Sequence, residues 1–112
     1  MQYEEIAPLP RSVLLLRLES GSSDEIAHAL VSAAFHEPDW TWVQDWCIRL
    51  VDHSDGNVQR VAITCLGHLA RIHHTLDLGR VLPLLHVKIE GNELRGTVED
   101  ALSDIRIFIP VH

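Results

Sequence analysis

Four apolar positions recur in this chain at a shift of 36 residues. Ile26, Ala62 and Val98 align; so do Ala29, Cys65 and Ala101, then Leu30, Leu66 and Leu102, then Ala33, Leu69 and Ile105. Inside each copy the four are spaced i, i+3, i+4, i+7, which places them on one stripe of an α-helix. A single amphipathic helix cannot bury such a stripe by itself. Repeated at a fixed period, it demands a stack of neighbours, and each copy follows a shorter apolar segment and a polar or glycine-containing turn. That is the pattern of stacked helical hairpins. Ala29, Cys65 and Ala101 stay small, which lets adjacent helices approach closely.

The most regular copy is 55–72, DGNVQRVAITCLGHLARI. Asp55-Gly56-Asn57 is a turn and N-cap signal before the stripe of Val58, Ala62, Cys65, Leu66 and Leu69. Arg60, Thr64, Gly67 and Arg71 fall on the opposite side. Earlier in the chain, Ser22-Ser23-Asp24-Glu25 matches a capping box and predicts a helix over 23–36. Asp39 is placed to cap a helix over 40–53, with Val43, Trp46, Cys47 and Leu50 inward. Asp77 is placed to cap another over 78–89, and Gly91-Asn92 turns the chain into a last helix over 93–108, which Pro110 stops. Leu94, Val98, Ala101, Leu102 and Ile105 point inward there. The segment 12–19, SVLLLRLE, is short and apolar enough for a strand or a helix. Strand signals are scarce elsewhere, so context makes it helical. The expectation is one all-α domain over 1–112: three hairpins at about 11–36, 39–74 and 77–108, forming a short α-solenoid.

Composition narrows the function. At 112 residues and 46% apolar content, the chain is long enough for one stable core and too apolar for disorder. The formal net charge of −7 is confined to residues 1–56, where ten carboxylates meet Arg11, Arg17 and Arg49; residues 57–112 hold six of each sign. An acidic half repels phosphates and attracts a basic partner, and it also keeps a small protein soluble. Cys47 and Cys65 both lie on apolar helix faces, which predicts buried free thiols suited to a reducing cytosol. The N-terminus MQYEEIAPLP is acidic and proline-containing, unlike a signal peptide, and the longest unbroken apolar run, 13–16, is too short to span a membrane.

The residues 55–71 resemble the second helix of a HEAT repeat, with Asp55 in the turn, then Val58, Arg60, Ala62 and Cys65-Leu66-Gly67. Pro83 resembles the proline often found in a HEAT first helix. Arg60 departs from the pattern by standing two places after Val58 rather than directly after the apolar residue; Leu94-Arg95 keeps the usual order. The resemblance implies an α-solenoid and no particular activity. A narrower likeness covers 39–85: this stretch is similar to small stand-alone HEAT proteins of bacteria that sit beside polymorphic or contact-dependent toxins as immunity proteins. Such proteins do no chemistry; they bind a toxin domain and block it.

Candidate sites were weighed on their residues. Three tryptophans cluster in EPDWTWVQDWC. Trp46 is on the stripe and belongs to the core. Trp42 lies on its flank and Trp40 at the helix start. With Glu37, Asp39, Asp45, Arg49 and Asp52 they compose a candidate partner-binding face, since tryptophan and charged groups anchor interfaces. The competing reading packs Trp40 and Trp42 beneath the preceding hairpin, stacks Arg49 on Trp42, and leaves Asp45, Arg49 and Asp52 as a solvated face with pairs within one helix. Eight histidines are present, but none forms HExxH or an i,i+4 pair, so no metal and no cofactor is expected. Glu99, Asp100 and Asp104 are ordinary carboxylates of a polar helix face, and no phosphate loop or serine elbow occurs.

Together with the resemblance, these features favour a non-enzymatic, cytoplasmic immunity protein that binds a basic toxin domain, of nuclease type, one to one, without direct nucleic-acid or membrane contact. A general HEAT-type scaffold or adaptor is the alternative. A HEAT-like enzyme acting on nucleic acid bases is less favoured. It requires a basic groove, and Arg60, Arg71, Arg80, Lys88, Arg95 and Arg106 are diluted by six acids.

Overall fold

The computed structural model describes residues 6–91 and 93–110. Over them the chain forms six helices: α1 (Arg11–Ser20), α2 (Ser23–His36), α3 (Trp40–Leu50), α4 (Gly56–His73), α5 (Leu78–Lys88) and α6 (Arg95–Phe108). The order α1/α2, α3/α4, α5/α6 gives three hairpins joined by short turns. The helices carrying the 36-residue repeat, α2, α4 and α6, lie side by side with α4 in the middle, while α1 and α3 pack behind α2 and α4, and α5 more sparsely behind α6. The chain is all-α among the described residues, as the repeat predicts.

Side chains close the helix starts that the sequence marks. Ser22 Oγ accepts from the Glu25 N–H at 3.2 Å, and Glu25 Oε1 accepts from the Ser22 N–H at 2.9 Å, completing the capping box. Asp39 Oδ1 accepts from the Trp42 N–H at 3.3 Å, and Asp55 Oδ1 from the N–H groups of Asn57 and Val58 at 2.9 and 3.0 Å. Asp77 stands at the start of α5, but its side chain makes no cap bond. Instead its backbone N–H donates to Gln44 Oε1 of α3 at 2.7 Å, which also satisfies the buried Gln44.

The core follows the stripes. Val58, Ala62, Cys65, Leu66 and Leu69 are all 0% exposed, as are Ala29, Leu30, Val43, Cys47, Val81, Leu85 and Val98. Both thiols are free and buried. Burial pushes Cys65 up to about 12, and it raises Cys47 well above the ordinary thiol range with the neighbouring Cys65 adding to it.

The structure departs from the sequence expectations in several places. Gly67, expected on the polar side of α4, is buried because α6 packs across it: a Cβ there would lie 3.5 Å from the Ala101 Cα and 2.8 Å from Asp104 Oδ2. α3 ends at Leu50 rather than at residue 53, since the Asp55 N–H donates to His53 Nδ1 at 3.0 Å and turns the chain early. α6 begins at Arg95, not Glu93; Asn92, read as part of the preceding turn, lies outside the described residues. Leu102, expected inward, is half-buried, since among the described residues no helix packs on the outer side of α6. No helix among the described residues is long and apolar enough to cross a membrane.

Candidate partner-binding face

The seven residues singled out from the sequence come together around the start and outer side of α3, but most of them are engaged with the protein itself. Arg11, at the start of α1, reaches across to them. Its guanidinium lies 4.1 Å from the Trp42 ring centroid, 3.5 Å from Asp39 Oδ2 and 3.8 Å from Glu37 Oε2. Glu37 also accepts from the Asp39 N–H at 3.2 Å, and its side chain is only 13% exposed. Asp39 is held below the usual carboxylate range, first by the Thr41 hydroxyl, then by the Trp42 N–H, with Arg11 adding to it. Trp40 and Trp42 are half-buried against the core, and Trp42 meets Trp46 edge-on at 6.5 Å. This end of the site is a clasp between the first two hairpins.

Arg49 stacks on Trp46, 4.1 Å from the ring centroid, not on Trp42. Helix geometry decides this. Residues three apart are neighbours, whereas seven residues separate Trp42 from Arg49, about 10 Å along the axis. Asp45 and Asp52 do not pair within α3 either. Asp45 Oδ1 accepts from Arg80 Nη1 at 2.8 Å, and Asp52 Oδ1, in the turn after α3, from Lys88 Nζ at 2.7 Å, so two ion pairs tie α3 and the turn after it to α5. Both pairs are largely in solvent on at least one side, so each contributes about 0–1 kcal/mol. Arg11, Arg80 and Lys88 were missed from the sequence as members of this face. A signal was present: opposite charges one repeat apart fall on neighbouring helices, and the pairs are 35 and 36 residues apart.

Toward the C-terminal ends of α2, α4 and α6, the Phe35 and His68 rings come to 4.9 Å, and Arg71 lies 5.9 Å above the Phe108 ring. Burial lowers the pKa of His68, Arg71 lowers it further, and Asp104 opposes both. Among the described residues no three His, Cys, Asp or Glu side chains gather where they could hold a metal ion. A shallow hollow at the α5–α6 turn is lined by Val87, Lys88, Gly91, Glu93 and Leu94, where Lys88 is already paired with Asp52.

What the described residues present is a surface built on a rigid stack of hairpins. No protein-family model matches the chain, and no curated protein matches it. Among solved structures it is similar to a chain in the crystal structure of a CDI complex from Cupriavidus taiwanensis LMG 19424. The two are 33% identical, the match covers 96% of this chain and 97% of that one, and the TM-score is 0.87. The chain belongs to the same family as that component of a CDI complex.

Proposed function

We propose that this chain is the immunity protein of a contact-dependent inhibition system, binding its cognate toxin domain one to one in the cytoplasm and blocking it without chemistry of its own. The observation that carries this reading is the end-to-end likeness, in both sequence and fold, to a component of a CDI complex. The net charge of −7 supports a basic partner, which suits a toxin domain that handles phosphates, such as a nuclease. Glu37, Asp39, Trp40, Trp42, Asp45, Arg49 and Asp52 form the proposed acidic margin toward that partner. Asp45 and Asp52, 53% and 69% exposed, remain at the surface for steering, while the clasp around Trp42 also serves the fold.

The test is to co-express the toxin domain encoded beside this chain's gene and to measure growth and binding kinetics. Wild type restores growth and binds tightly, with association slowing as salt rises, because exposed charges are screened beyond about 8 Å at physiological ionic strength. Reversing Asp45 and Asp52 to Lys lowers the on-rate without unfolding the protein. A wild-type chain that neither protects nor binds refutes the immunity reading and leaves an adaptor role in its place.

A further inference from the structure

At the C-terminal ends of α2, α4 and α6, six side chains form a strip across three helices. Phe35 of α2 rests on His68 of α4. Arg71 of α4 lies over Phe108 of α6. Ile72 and Ile107 complete it, 40% and 67% exposed, beside a Phe35 that is itself 44% exposed. The repeat explains the alignment: Phe35, Arg71 and Ile107 share one position of the 36-residue period, and Ile72 and Phe108 share the next. Both phenylalanines of the chain are in this strip.

Burial in the core does not account for Phe35, Ile72 and Ile107, which are exposed. A cation in the last turn of α4 complements the helix dipole and accounts for Arg71 as far as stability goes. Nothing similar accounts for Phe35 and Ile107 in water. Contiguous exposed apolar groups mark interaction surfaces, and arginine beside aromatic rings is the composition of interface anchors. Among the described residues Arg71 makes no ion pair, as Arg17, Arg49, Arg60 and Arg106 make none, but of these five only Arg71 lies over an aromatic ring of a neighbouring helix.

We infer that this strip is the docking surface for the toxin domain, which seats an apolar side chain between Phe35, Ile72 and Phe108 and sets a carboxylate against Arg71. The inference rests on the immunity reading. It divides the labour between two surfaces: the acidic margin of α3 sets how fast the partner arrives, and the strip sets how long it stays.

The probe is again the toxin domain encoded beside the gene, with on- and off-rates measured for wild type and variants and melting temperature as the control for folding. Arg71→Glu raises the off-rate on the order of a hundredfold, because it opposes the partner's carboxylate at close range. Arg71→Lys keeps the charge and loses much less. Phe35→Ser and Ile107→Ser each raise the off-rate by about tenfold; Ile107 is so exposed that its variant folds even if Phe35→Ser does not. The Asp45 and Asp52 reversals leave the off-rate alone. If wild type binds the toxin and folded strip variants dissociate no faster, the strip is the wrong face and the immunity reading stands. If Trp42→Ala, still folded, speeds dissociation while the strip variants do not, the contact lies on α3. If wild type does not bind, both inferences fall.

Discussion

The helices α4 and α6 occupy equivalent places in the repeat, yet among the described residues one has a repeat helix on each side and the other on one side only. Their sequences record the difference position by position. Ile63 and Ala70 of α4 are 0% exposed; one repeat on, the same positions are Glu99 and Arg106, both in solvent. Leu66 is 0% exposed, while its equivalent Leu102 is half-buried. The stripe turned toward the outer helix keeps its apolar character in both copies, through Ala62 and Val98 and through Cys65 and Ala101. What changes is the row that would meet a following hairpin. An outermost helix with a polar outer face meets water without cost, and α6, outermost among the described residues, has one by substitution at a few positions rather than by a different fold.

That contrast is open to direct attack. Ile63→Glu places on α4 the residue that α6 carries at this position, but there it meets packed α6 rather than water. An unpaired buried carboxylate makes it the most damaging change, costing about 3–5 kcal/mol in denaturant unfolding; Glu99→Ile, its mirror image, stays within about 0.5 kcal/mol. Equal effects from the two would dissolve the distinction between inner and terminal helix. Leu66→Ala should cost roughly 2–5 kcal/mol through lost burial and a cavity. Leu102→Ala should cost clearly less, since part of that side chain is already wet. The thiols offer a pH test. Cys65 stands where α6 has Ala101, and its pKa is pushed up to about 12, so the folded state holds its proton more tightly than the unfolded chain. Stability is therefore full below the ordinary thiol pKa of about 8.5 and declines as pH rises above it. Cys65→Ala makes that part of the profile shallower, leaving the share due to Cys47, and the intact protein resists thiol-labelling reagents at pH 8 until it is unfolded. A small effect is expected at Gly67, equivalent to Ser103. Gly67→Ala gains helix propensity and asks only that the Asp104 carboxylate swing aside, so it should fall within about 1 kcal/mol of wild type. Gly67→Leu, which must also push against Ala101, should be destabilising.

Much of the fold was legible because it is periodic and local. The 36-residue stripes, the Ser22–Glu25 box and the caps at Asp39 and Asp55 are all patterns within a dozen residues, and the structure has each of them. The face around α3 was legible only in part. Its members were named, but their partners were not, since Arg11, Arg80 and Lys88 come from other helices and pairing across a stack leaves no short-range trace. The misplacement of Gly67 has the same origin. A helical wheel shows which side faces the hairpin partner and hides the sides that face adjacent repeats. The choice between Trp42 and Trp46 as the ring beneath Arg49 is fixed by axial distance, which the residue numbers alone supply.

The bond from the Asp77 N–H to Gln44 has a consequence for the order in which this protein is made. As the chain leaves the ribosome from its N-terminus, α3 and α4 are complete before α5 exists. The acceptor that receives α5 is then already in place on α3, and the later helix need not carry its own start signal. The third hairpin is thus templated by the second, which in turn has its buried Gln44 satisfied only when the third docks. Gln44→Leu, a substitution in a helix finished 27 residues before α5 begins, would be felt as a slower and less complete docking of the chain's last quarter.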